Sequence, residues 1–453
     1  MRFSQSYHVV TKIPASLCFV PPYNLGIKYL FRLLSPEREH IPDMESSLSN
    51  RNLGKYLDSP WVIFVTAFLL RALYLFIRGP ENFQASDSST YEGLSLSLLA
   101  GEGYGLGRPS ALRPPGYPLF LAATYWIFGL KNHLAVQFLH ILMGAGTPLL
   151  IREIGREIKD GPTGTIAAWI GVFQINLIFW TGYLLTEALF IPFLVLTFYL
   201  VVRLSKRDTT RNLIFAGLAM GALLLIRPSA VPFVALVYPW YAWVRRRRKQ
   251  KIFSPLCILI FSTALVVLPW VARNYSVFDR FIPLTTGGPG VLHWGTQWNS
   301  VDRDMKAVGL TDKKQRDEFE KRDEYMRIFV AYVKENPGRY SKLMFQKAAV
   351  FWSLYFPQWS ARHKAFKGIF FGLLFGLSLL GLVSSRVDRE YAAVFWIFCL
   401  STTLLVMVTV VDYDNRFRVP VEAILSVTAA LGFFRAKEIW TGRRQQNPAG
   451  KDT

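Results

Sequence analysis

Apolar runs of membrane-crossing length constrain this chain more than any other feature. Trp61 to Ile77 is one such run, and from Thr163 to Val202 nearly every residue is apolar, with a break only at Gly182 to Glu187. A bilayer core needs about 20 apolar helical residues to cross it, so the longer stretch reads as two spans joined by a turn. Backbone polar groups in hydrocarbon must be satisfied internally, which favours helices. The sequence predicts an all-α polytopic membrane protein.

Spans are expected at 61–78, 117–150, twice within 163–202, twice within 213–244, then at 252–271, 366–384, 390–411 and 419–436, about ten in all. The turn of the 213–244 pair falls at Arg227-Pro228-Ser229. Connectors 151–162, 203–212 and 245–251 are basic and fall on one side, together with the tail after Arg435. Lys and Arg gather on the cytoplasmic side, so both termini are expected there, in the plasma (inner) membrane if the source is bacterial. The expected organisation is an N-terminal extension (1–52), a membrane module (53–272) with a polar loop at 80–118, an outer segment (273–365), C-terminal membrane helices (366–436) and a basic tail (437–453). Within the outer segment, Asp302-Arg303-Asp304 is charged, Asp317 to Val333 has helical character, and Tyr340 to Trp359 is amphipathic. Residues 1–52 are too mixed for a span and show no cleavage pattern of a signal peptide.

The net charge of +21 can accompany nucleic acid. Here the runs Arg245 to Lys249 and Arg443-Arg444 each directly follow an apolar span, and no nucleic-acid motif accompanies them. The charge is read as membrane anchoring, with no nucleic-acid partner. Cys18, Cys257 and Cys399 lie too far apart for a metal spacing or a disulfide framework. His133, His140 and His363 read as structural. Arg71, inside the first span, reads as a snorkelling or bundle-paired residue.

Chemistry is expected around the loop Pro80 to Pro118. There Asp87 precedes Tyr91 and a helix-like stripe of Leu94, Leu98 and Leu99. Glycines follow at 101, 103, 105 and 107, then the rigid turn Arg113-Pro114-Pro115-Gly116-Tyr117-Pro118. The glycine run is no dinucleotide fingerprint, because no strand precedes it. Asp87, Glu187, Arg227, Arg273, Arg416 and Arg418 all map to span ends on the non-cytoplasmic face, where basic anchors are scarcer. An acid among arginines suits a phosphate and a hydroxyl awaiting activation, since the guanidinium fork matches phosphate geometry. Structural roles compete at each position. Asp87 can cap a helix, Glu187 can cap a span or pair with an arginine, Arg227 can anchor a turn, and Arg273 can snorkel. Arg416 and Arg418 can likewise be structural. Asp412-x-Asp414 beside two arginines reads as paired rather than metal-binding.

Five stretches in order resemble family-39-type glycosyltransferases, the clan of dolichyl-phosphate-mannose protein mannosyltransferases and aminoarabinose-lipid A transferases. They are Asp87 and Tyr91 with Gly101 to Tyr104 and Arg113 to Leu121; Leu185 to Phe190; Leu225 to Pro228; Pro269 to Tyr275; and Asn415 to Pro420. The resemblance implies a GT-C fold, and transfer of a sugar from an undecaprenyl- or dolichyl-type phosphate carrier to a lipid, glycan or protein acceptor on the outer face. It implies Asp87 as general base, with inversion at the anomeric carbon. Tyr91, Arg113, Glu187, Arg227, Arg273, Arg416 and Arg418 are then candidates for binding substrate or phosphate, and no metal or other cofactor is expected. Asp87 is followed by Ser88, not by the second acid of the protein mannosyltransferases. A transporter or flippase of a lipid-linked sugar is the alternative, and a non-catalytic membrane scaffold a third.

Overall fold

Helix follows helix through the chain because each apolar run is closed by a residue that stops it. The computed structural model describes residues 54–83, 86–296, 317–354, 360–384, 387–409 and 416–446. The extension 1–52, the charged stretch 302–304, the Asp412-x-Asp414 spacing and the end of the basic tail lie outside these described residues.

The first span is α1 (Pro60–Arg78), with proline in its first turn and Gly79 at φ 77° ending it. Proline is tolerated at a helix start because its missing N–H has no partner there anyway. The polar loop folds as α2 (Ser86–Leu99), an irregular glycine turn, and α3 (Gly116–Phe128). Then come α4 (His133–Ile158), the pair α5 (Gly161–Val172) and α6 (Ile175–Thr181), bent by 53°, and α7 (Thr186–Leu204). Next are α8 (Thr210–Ile226), α9 (Val231–Arg247) and α10 (Phe253–Phe278). The intervening segment carries α11 (Gly288–Thr296), α12 (Glu318–Glu335) and α13 (Pro337–Phe351), and the chain closes with α14 (Ala361–Ser384), α15 (Arg389–Val408) and α16 (Val419–Gln446).

Ion pairs define two faces. On the basic face Arg152 holds Asp58 at 2.7 Å, Lys206 lies 3.9 Å from Glu157, Arg245 pairs with Asp208, and Arg248 holds Glu390 at 2.5 Å. The opposite face gathers Asp87, Arg113, Glu187, Arg227 and Arg416. Among the described residues, seven helices (α1, α4, α7, α10, α14, α15 and α16) are long and apolar enough to cross a membrane unaided, and the bent α5–α6 pair passes the same test when taken as one span. The 17-residue helices α8 and α9 also run between the two faces. At 1.5 Å per residue each measures about 25 Å.

One expected boundary differs. The run 117–150 does not cross as a unit, because α3 is held at both ends on the Asp87 face. Gly116 packs on the backbone of Leu225 and Ile226, and the Tyr125 hydroxyl donates to Glu92 at 2.9 Å. The chain turns at Gly129 (φ 98°) and Lys131 (φ 56°), and the Asn132 side chain caps the new helix by accepting from the Ala135 N–H. The crossing therefore begins at His133, because an apolar run 34 residues long is more than a bilayer can hold upright.

Burial separates the centre from the rim. The most apolar stretches of α7 and α16 are 72% and 78% buried, against 17% in α1 and 22% in α10, so α7 and α16 form the core and α1 and α10 face lipid. Leu69, Leu73, Phe76, Phe261 and Leu265 are correspondingly exposed. Without a hydrophobic drive inside lipid, helices associate by close backbone approach at small residues. At the α14–α16 contact a Cβ on Gly432 would lie 1.8 Å from the Leu377 carbonyl oxygen, and one on Gly381 would lie 2.2 Å from that of Thr428. Gly432→Val should lower stability by about 1–3 kcal/mol by forcing these helices apart. Thermal unfolding in detergent checks this, with Gly376→Ala, which has open space around it, expected to leave the midpoint unchanged.

Candidate active site

The site is a chain of alternating acids and guanidinium groups. Asp87 sits in the first turn of α2, Glu187 in the first turn of α7, Arg227 between α8 and α9, and Arg416 just before α16. Arg113 donates to Asp87 Oδ1 at 2.9 Å, and Arg416 donates to Oδ2 at 3.4 Å. Arg416 also donates through Nε to Glu187 Oε1 at 2.6 Å, and Arg227 reaches that same oxygen at 2.7 Å. Five of the sequence-nominated residues thus meet in one connected network.

Exposure gives the two carboxylates different work. The Glu187 side chain is fully buried, whereas that of Asp87 is 27% exposed. A buried charge is costly unless paired and hydrogen-bonded, and two arginines meet that need at Glu187. Glu187 therefore anchors the cations, and Asp87 presents an accessible carboxylate. Burial alone would lower the affinity of Arg416 for its proton, but Glu187 and Asp87 outweigh it and raise the pKa. Arg416 stays a cation throughout the ordinary pH range.

Aromatic rings fix the directions of these groups. Tyr91, 5% exposed, lies edge-on to Tyr117 with centroids 5.2 Å apart and carries the Arg113 guanidinium 5.6 Å above its ring. Burial pushes the Tyr91 phenol up. Arg227 lies over Phe417 at 4.6 Å, and Arg416 over Trp180 at 5.8 Å. Behind Arg227 and Arg416 the side chains of Phe190, Leu194, Phe233, Phe398, Leu405 and Phe417 border a narrow gap of about 20 Å³. One end is cationic. The walls are apolar.

Two nominated arginines are engaged elsewhere. Arg273, on α10, donates to the carbonyls of Ser110 at 2.9 Å and Tyr104 at 2.8 Å, stacking on Tyr104 and Trp270. It pins the glycine turn, where Gly101, Gly103 and Gly107 adopt positive φ. Arg418, only two residues from Arg416, points into the core. It donates to Glu422 Oε1 at 2.8 Å, to the Phe351 carbonyl at 3.0 Å and to the Ser353 carbonyl, and lies 4.5 Å over Phe371. Asn176 also donates to Glu422, at 2.9 Å. Arg71 is fully enclosed and donates to the Ala67 carbonyl at 3.0 Å, so it does not snorkel.

Sequence reasoning passed over a second carboxylate on α2. Glu92 Oε1 meets His133 Nε2 at 2.6 Å and accepts from the Tyr125 hydroxyl at 2.9 Å, tying α2 to both ends of the α3–α4 turn. The signal available was a lone histidine, His133, within the apolar run that follows the loop carrying Glu92. No cluster of His, Cys, Asp or Glu capable of holding a metal occurs among the described residues.

Arg418→Met should cost about 3–5 kcal/mol, because it strands the buried Glu422 charge. The double variant with Glu422→Met should recover most of that loss in thermal unfolding. For Glu92, burial alone would raise the carboxyl, but the bonds from His133 and Tyr125 hold it below its ordinary 4.5. Its stabilising contribution is therefore present above that value and lost as pH falls through the lower folded one. Melting curves taken between about pH 3 and pH 5 should flatten in Glu92→Gln.

Comparison with known proteins follows the same lines. No curated protein matches the chain by sequence. The fold is similar to that of the Archaeoglobus fulgidus oligosaccharyltransferase in its apo crystal form, with a TM-score of 0.52 and 14% identity over 87% of this chain and 52% of that one. This chain thus spans about half the length of that enzyme. ArnT from Cupriavidus metallidurans bound to undecaprenyl phosphate aligns more loosely, with a TM-score of 0.39 and 12% identity over 88% of this chain and 81% of that one. Residues 112–272 match the family model described as dolichyl-phosphate-mannose-protein mannosyltransferase. The chain is a multi-pass membrane protein with the GT-C fold, and over residues 112–272 it carries the sequence pattern of the dolichyl-phosphate-mannose-protein mannosyltransferase family.

Proposed function

We propose that this protein is a membrane glycosyltransferase that moves a sugar from a polyprenyl-phosphate carrier to an acceptor hydroxyl or phosphate. The observation that carries the reading is the pair Arg227 and Arg416, held together by Glu187 beside a narrow apolar gap. A polyprenyl phosphate has that division, an anionic head on an isoprenoid tail. Guanidinium groups grip phosphate oxygens in pairs, and phenylalanine and leucine side chains lie next to them. The pattern read in the sequence and the family match over 112–272 support the same assignment. The excess of Arg and Lys on the basic face supports placing the Asp87 face outside the cytosol.

In the reaction the acceptor oxygen attacks the anomeric carbon as the bond from that carbon to the phosphate oxygen breaks. One direct displacement inverts the centre. The proton of an attacking hydroxyl passes to Asp87, whose oxygens each accept one protein bond and retain a further lone pair. A carboxylate is too weak to deprotonate an alcohol beforehand, so it acts as the hydroxyl turns acidic in the transition state. Arg416 and Arg227 hold the polyprenyl phosphate that leaves and offset its growing charge. Glu187 keeps both arginines fixed before substrate arrives.

Asp87→Asn should reduce kcat about 10²- to 10⁴-fold, the usual worth of a positioned base, while donor affinity and thermal stability persist. Purified protein in nanodiscs, supplied with an undecaprenyl-phosphate sugar and assayed for released undecaprenyl phosphate, tests this. Carrier movement without bond cleavage, or transfer by Asp87→Asn at the wild-type rate, would sink it.

A further inference from the structure

The segment between α10 and α14 supplies a carboxylate that reaches the loop carrying Arg113. Glu318, the first residue of α12, accepts from the Ser110 hydroxyl at 2.7 Å through Oε2. Its Oε1 accepts from the Ala111 N–H at 3.0 Å and from the Thr286 hydroxyl. One side chain therefore gathers two stretches lying far apart in sequence from it, residues 110–111 and Thr286.

The consequence runs forward along the loop. Thr286 N–H donates to the Ala111 carbonyl at 3.0 Å, and Thr285 donates to that of Leu112 at 2.5 Å. The Tyr104 hydroxyl lies 2.9 Å from the Arg113 carbonyl and 3.0 Å from that of Pro114. The backbone is thus held on both sides of Arg113, whose side chain meets Asp87 at 2.9 Å. Arg273 holds the Ser110 and Tyr104 carbonyls, but it lies on a membrane helix. Glu318 comes from the intervening segment, as do Thr285 and Thr286, and its carboxylate ties Thr286 to residues 110 and 111.

We propose that Glu318 is a positioning residue for Asp87, acting through Ser110, Ala111 and Arg113, so that the state of the intervening segment is transmitted to the candidate base. The effect on rate rests on the glycosyltransferase reading, whereas the effect on the loop does not. Misplacement of a reacting group by about 1 Å costs roughly a hundredfold in rate. The gap beside Arg227 and Arg416 is built from helices that Glu318 does not touch. Loss of Glu318 should therefore lower kcat and leave donor KM almost unchanged.

The test combines kinetics with hydrogen–deuterium exchange on the full chain in nanodiscs. Glu318→Ala should lower kcat by about tenfold to a hundredfold, shift donor KM by less than about twofold, and speed amide exchange across 104–114. Glu318→Gln, which keeps the shape but turns an N–H₂ toward a donor, should fall between wild type and Glu318→Ala. Glu320→Ala, on the exposed side of α12, should change neither. Effects that act through one residue do not add, so Arg113→Ala/Glu318→Ala should be no slower than Arg113→Ala alone. Unchanged loop exchange in both Glu318 variants overturns the proposal, and so does a double variant slowed by the product of the single effects. If wild type transfers no sugar yet Glu318→Ala still loosens the loop, the glycosyltransferase reading falls and the latch stands.

Discussion

Arg416 holds together the ionic network on which the rest of the candidate site depends. Its guanidinium spans Asp87 and Glu187, both from helices before the intervening segment, whereas Arg416 itself comes after that segment. Glu187 is wholly enclosed, and such a carboxylate is tolerable only with cations beside it. Its burial therefore fixes Arg416 and Arg227, and Arg416 in turn reaches Asp87. The helices before and after the intervening segment are joined by this contact as much as by apolar packing.

The packing around the network is of two kinds. In lipid the helices meet where glycine lets backbones touch, as at Gly381 and Gly432. Closer to the Asp87 face, aromatic rings take over, with Tyr91, Trp180 and Phe417 lying under guanidinium groups. A ring face attracts a cation without needing a proton acceptor. Arginines can thus be oriented there while their remaining N–H groups stay available to an anion.

How far the residues announced this arrangement depended on the kind of information needed. Span count and the gathering of charge on one face follow from run length and alternation, both one-dimensional properties. Asp87, Arg113, Glu187, Arg227 and Arg416 were within reach for that reason. Arg418 and Arg273 share the same face and the same residue type, and nothing in a sequence says which way a side chain turns at a span end. Arg418 turned inward because Glu422, one helical turn on, offers a buried partner. The start of the second crossing was misjudged because α3 is apolar enough to cross yet is tethered at Gly116 and Tyr125. Glu318 lay beyond any local signal, since its partners Ser110 and Ala111 are separated from it by 208 and 207 positions.

The brevity of α8 and α9 bears on how a lipid would meet this protein. At about 25 Å each, they are some 5 Å short of a typical hydrocarbon core, and they lie beside the gap headed by Arg227. A bilayer answers such a mismatch by thinning locally. Headgroups there would dip toward the guanidinium pair, leaving only a short vertical path between leaflet and gap.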